Sequence, residues 1–173
     1  MSINFFINSS ILHYLIMDNV PSYDEFLEKK ETLSDEECVK FCDEMITHST
    51  LTNIALLVKS SRLIKLKKYD DAILCCKKLI DLSDGKSSGA YVNMSWGLGE
   101  LGRYDESLEF SIKAIDLNPN FSMAWNNKGH ALHMMGKSEE GLKDVQKALD
   151  LDPDNENAIE SKQEILKALG KTD

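Results

Sequence analysis

A chain of 173 residues, 42% hydrophobic and 28% charged, is long enough for one compact domain or a short solenoid with a continuous core. Its formal net charge is −9, with lysines scattered among more numerous acids. No basic stripe is present to displace counterions from a nucleic acid or to hold an anionic membrane surface, so the charge favours a neutral or basic polypeptide partner.

Residues 1–17 are apolar and contain no acid, lysine or arginine; Phe5, Phe6, Ile7, Ile11, Leu12, Leu15 and Ile16 set their character. They lack a basic leading region, and Asn4, Asn8, Ser9, Ser10 and His13 interrupt the run. Both features argue against a signal peptide and against a spanning helix. Two readings stay open: an extra segment that packs on the core, or an extension upstream of a start at Met17.

A helix over roughly residues 22–30 carries Tyr23, Phe26 and Leu27. Ser34 with Glu37 forms a capping-box pattern, which predicts a second helix starting there. The four cysteines, Cys38, Cys42, Cys75 and Cys76, have neither CxxC spacing nor a suitably placed histidine. They are expected to be free buried thiols of a reducing compartment.

From residue 53 the chain repeats itself. Residues 90–119 align on residues 124–153 at an offset of 34: Tyr91 on Trp125, Ser95 on Gly129, Leu98 on Leu132, Gly102 on Gly136, Ser107 on Gly141, Ala114 on Ala148 and Pro119 on Pro153. An earlier copy matches Tyr69, Asp70, Asp71 and Ala72 to Tyr104, Asp105, Glu106 and Ser107, with one residue inserted and Asp84 in place of proline. Half of a fourth copy, residues 34–39, precedes residues 68–73 by 34. Such a period describes helix pairs that bury their faces only by stacking. Small residues at Ser60, Ser95 and Gly129, and at Ala72, Ser107 and Gly141, mark where helices approach closely. Gly102 is expected to end a helix, and Gly97 and Gly99 to allow close packing. A last helix over about residues 156–169 has Ile159, Ile165, Leu166 and Leu169 on one side and reads as a solvating cap.

Ala124, Trp125, Gly129, Gly136, Gly141, Ala148 and Pro153 stand as in the tetratricopeptide repeat (TPR) motif, and residues 53–155 resemble that family. The resemblance implies an all-α, right-handed α-solenoid of antiparallel helix pairs with a C-terminal capping helix. It divides the chain into an apolar segment at 1–17, N-terminal helices at 18–52 read as a degenerate repeat, repeats at 53–87, 88–121 and 122–155, and a cap at 156–173. It also implies a cytoplasmic, non-catalytic protein without a cofactor, which holds a peptide or protein segment in a concave groove lined by the first helix of each repeat. The groove residues so named are Leu57, Val58, Ser61, Val92, Asn93, Trp96, Asn126, Asn127, His130 and His133. They make a nearly uncharged groove, with the acids on the convex side. Asn93 and Asn127 are each expected to give two hydrogen bonds to an extended peptide backbone. Trp96 supplies an apolar anchor or, alternatively, packs on the N-terminal segment.

Family members that capture chaperone tails clamp a carboxylate with Lys, Asn, Asn, Lys and Arg. Those places hold Leu57, Ser61, Asn93, Met123 and Asn127 here, and one repeat later Val92, Trp96, Asn127, Asn157 and Ser161, so such capture is not expected. Self-association, with residues 1–17 filling the groove, is the alternative function. His130 and His133 sit three apart without a third ligand, and Asp150, Asp152 and Asp154 lack the glycine and glutamate of a calcium loop, so no metal is expected. No phosphate-binding or nucleophile motif occurs.

Overall fold

The computed structural model describes residues 23–48 and 51–171; the expectations for residues 1–17 lie outside them. Among the described residues there are nine helices and no strand: α1 (Tyr23–Thr32), α2 (Asp35–His48), α3 (Thr52–Lys65), α4 (Tyr69–Leu82), α5 (Ser88–Glu100), α6 (Tyr104–Leu117), α7 (Ser122–Met134), α8 (Ser138–Leu151) and α9 (Glu156–Ala168).

Local chemistry sets their ends. The capping box before α2 forms, with Glu37 N–H donating to Ser34 Oγ and Ser34 N–H donating back to Glu37 Oε2 at 3.1 Å. Helices α4, α6 and α8 open on acid pairs, Asp70 and Asp71, Asp105 and Glu106, Glu139 and Glu140, which offset the positive end of each helix dipole. Part of the chain's acidity is therefore placed where it stabilises helix starts. Helices α3, α5, α7 and α9 all end in the same turn, with Lys67, Gly102, Gly136 and Gly170 at φ of 57°, 74°, 83° and 66°. In each turn that residue and the next donate back to carbonyls of the last turn, as Gly102 does to Gly99 and Arg103 to Leu98, both at 2.9 Å. After α6 and α8, Asn118 and Asp152 are extended before Pro119 and Pro153, which stop the helices.

From α2 onward each helix packs on its neighbours in the chain, and α3, α5, α7 and α9 also pack on one another in a row. The outer helices α4, α6 and α8 lack comparable mutual contact, so the first helices form the inner layer of a helical-repeat solenoid. The small residues do what their recurrence suggests. Ser107 Oγ donates to Ser95 O at 2.7 Å, and both residues are buried. Where α7 meets α8, a Cβ added to Gly129 would stand 2.6 Å from Gly141 O. Leu98 and Ile165 fill the spaces between, each worth roughly 1.5–3 kcal/mol when buried from water. Phe26 stacks on Phe41 at 5.6 Å between α1 and α2. Arg62 of α3 ties that pair to the array through Asp35 Oδ1 and Lys30 O, both at 2.9 Å.

Candidate functional site: two pockets on the inner face

The inner helices carry two adjoining pockets. The first, about 490 Å³, is walled by Leu57, Val58, Ile64, Val92, Phe121 and Met123, with Ser61 and Asn93 beside them. Lys30, Glu31, Arg62 and Lys65 also line it. The second, about 180 Å³, is polar: Asn126, Asn127, His130, Asn157 and Ser161 line it together with Glu100, Glu160 and Glu164. Trp96 and Met123 border both. The half-buried Trp96 also leans on the core around Leu56 and Leu63.

Of the residues named from sequence, Leu57, Val58, Ser61, Val92, Asn93 and Trp96 thus meet at the first pocket, and Trp96, Asn126, Asn127 and His130 at the second. His133 lines neither; its Nδ1 is 2.9 Å from Ser138 Oγ at the start of α8.

Two expectations are corrected. The amide hydrogens of Asn93 and Asn127 are already spent between helices. Asn127 Nδ2 donates to Val92 O at 3.1 Å and Ser95 Oγ at 2.8 Å. Asn93 Nδ2 donates to Ser60 Oγ at 2.9 Å and, at 3.5 Å, to Leu57 O. The carbonyl partners fix the orientation of both amides, because only the nitrogen can donate. These asparagines are rungs of a ladder joining α3, α5 and α7, and neither retains two donors for a peptide.

Nor is the inner face nearly uncharged. Glu160 and Glu164 come from α9, the helix read as a cap, and join Glu100. The missed signal was the period itself: Glu160 and Glu164 lie 34 residues after Asn126 and His130. At the other end stand Lys30, Arg62 and Lys65. Burial pushes the His130 imidazole below its usual value, against the opposing pull of Glu164 and Glu100. Its ring meets Tyr104 edge-on at 6.5 Å.

Tetratricopeptide-repeat family profiles match residues 88–121 and 122–155, which span the two pockets' central helices. Residues 88–155 are thus two tetratricopeptide repeats. The first TPR of Spaghetti (RPAP3), bound to the HSP90 peptide SRMEEVD, is 28% identical at a TM-score of 0.60, covering 69% of this chain and 94% of its own. The second TPR domain of human RPAP3, in complex with the HSP70 peptide SGPTIEEVD, is 26% identical at 0.58, covering 66% and 95%. MamA, 18% identical at 0.69 and covering 87% of each chain, shows the same fold. Among curated proteins none matches the sequence significantly.

In the TPR array the four cysteines are free and buried. Burial raises the Cys42 and Cys76 thiols to about 12. Among the described residues no three histidine, cysteine or acidic side chains gather as a metal ion would need, and no helix is long and apolar enough to cross a membrane.

Proposed function

We propose that this TPR protein holds a segment of a partner protein on its inner face, with the first pocket as the main anchor. The observation that carries the reading is the apolar pocket of about 490 Å³, walled by Leu57, Val92, Phe121 and Met123 and bordered by Trp96. It is concave and mostly apolar with a few polar groups at its edge, as ligand sites are. Solved neighbours of the same repeat fold are complexes with peptides, which supports a peptide as the occupant. Acidic chaperone tails of the kind those neighbours hold are not the expected cargo. The clamp places are Leu57, Ser61, Asn93, Met123 and Asn127, none of them cationic. Nothing in this reading calls for a cofactor or a catalytic step.

The test is affinity capture with the wild type and with Trp96→Ala combined with Met123→Ala, two side chains that border both pockets. Partners should be lost from the double variant while its helical content stays. Equal partner lists would mean that the inner face is not the site.

A second reading follows from the composition of residues 1–17, which are apolar and uncharged apart from His13 and would suit the apolar part of the first pocket's wall at Leu57, Val58, Ile64, Val92, Phe121 and Met123. In it, that segment occupies the groove of its own or a neighbouring chain. Removing residues 1–16 should then change oligomeric state or raise peptide affinity; no change in either would sink it.

A further inference from the structure

We infer that the second pocket receives a lysine or arginine side chain of the bound segment, an assignment that rests on the groove reading above. Three carboxylates, Glu100, Glu160 and Glu164, line this pocket, and no lysine or arginine does. Tyr69 Oη donates to one oxygen of Glu100 at 2.8 Å and holds that carboxylate at the rim of α5. Glu160 and Glu164 stand one turn apart on α9, on the face turned to α7.

Acids alone would be a solvated patch. The second observation is Asn126. It lines the pocket, is only 7% exposed, and its Oδ1 is buried without any hydrogen-bond partner. A buried carbonyl oxygen without a donor is costly, and native structures usually supply one. Asn93 and Asn127 show what satisfied asparagines look like in this array, each tied by its amide to the preceding inner helix. Asn126 has no such tie, although it lines the pocket. A guanidinium or ammonium group brings several donors and a positive charge, and so matches both the orphaned acceptor and the carboxylates. His130 does not compete as a cation, since its burial favours the neutral ring. Trp96 at the border adds an aromatic ring within reach of such a cation or of the alkyl stem that carries it.

The two pockets share Trp96 and Met123, so the ligand class becomes specific: an apolar residue for the first pocket with a basic residue close to it in the same segment. The inner face is then the electrostatic converse of a carboxylate clamp at its α9 end.

The experiment titrates the full chain, labelled with ¹⁵N, with N-acetyl-arginine amide, N-acetyl-lysine amide and the uncharged N-acetyl-glutamine amide. The signals followed are the side-chain amides of Asn126, Asn127 and Asn157 and the Trp96 indole. The arginine or lysine probe should move these signals saturably and the glutamine probe should not. Glu160→Gln combined with Glu164→Gln should weaken the basic probe by about tenfold or more. Equal shifts with the glutamine probe, or unchanged affinity in the double variant, would overturn the assignment. A panel of peptides with and without a basic residue separates this from the groove reading. Peptides captured through Trp96 with no preference for arginine or lysine would remove the cation receptor and leave the groove; basic probes binding as described, with no peptide captured, would support the receptor and remove the groove.

Discussion

Three neighbouring asparagines provide the sharpest test of how the inner face is built, because the structure gives them different work. Asn127 donates two hydrogen bonds, at 2.8 and 3.1 Å, from a residue that is 9% exposed. Each such bond contributes about 0.5–1.5 kcal/mol net, so Asn127→Ala should cost about 1–3 kcal/mol. At this chain length that is a fall in Tm of about 4–8 °C for the middle of the range. Asn93→Ala loses one good bond at 2.9 Å and a marginal one at 3.5 Å, and should lie toward the lower end. Asn126→Ala removes an acceptor that is buried and unpartnered, so its stability should change by less than about 1 kcal/mol, while binding of a basic probe falls. Urea unfolding followed by circular dichroism, with the denaturant slope unchanged, measures all three. The reasoning fails if Asn127→Ala is silent, or if Asn126→Ala is the costliest of the three.

The remaining predictions concern backbone and charge. Lys67 holds at φ 57° the place taken by glycine in the later turns, so Lys67→Gly should stabilise by about 1 kcal/mol, read as a higher urea midpoint. Gly129→Ala would drive a Cβ to 2.6 Å from Gly141 O and should cost about 1–3 kcal/mol, whereas at Gly99 the nearest atom is Ser107 Oγ at 3.5 Å, so Gly99→Ala should be neutral or gain up to about 1 kcal/mol. For His130 the folded state binds fewer protons than the unfolded one, because burial lowers its affinity for the proton. That contribution is complete above the unfolded imidazole value and is lost as pH falls through the folded one. Wild type should therefore lose stability relative to His130→Gln between about pH 7 and pH 5, and a flat difference would refute it.

What could be read from residues alone was what is local or periodic. The capping box at Ser34, the helix-ending Gly102 and Gly136, and the small residues at Ser95, Ser107, Gly129 and Gly141 each announce themselves by type and by the 34-residue offset. The asparagines were misread for a physical reason. Asn127 reaches Val92 and Ser95 on the preceding inner helix, and whether an amide is spent there or offered to a ligand depends on the depth at which two helices meet. Residue type and spacing are the same in both cases.

The charge that α9 brings to the inner face was missed for a different reason. Most of its outward side chains are polar, as a cap requires, and its start at Asn155, whose Oδ1 accepts from Ala158 N–H at 3.2 Å, and its end at Gly170 repeat the signals of an inner helix. A helix with those ends continues the register of the row it joins. Its positions 34 after Asn126, Asn127 and His130, namely Glu160, Ser161 and Glu164, then belong to the inner face whatever its other face does. Because α9 packs on α7 and α8 and on no later helix among the described residues, its remaining positions are free of the packing that restricts the middle repeats. Charge can therefore enter the inner face there without a buried ion to desolvate. The last helix of such an array is where the chemistry of the groove is most easily changed, and here it adds Glu160 and Glu164 to Glu100 at the end of the inner face away from Lys30, Arg62 and Lys65.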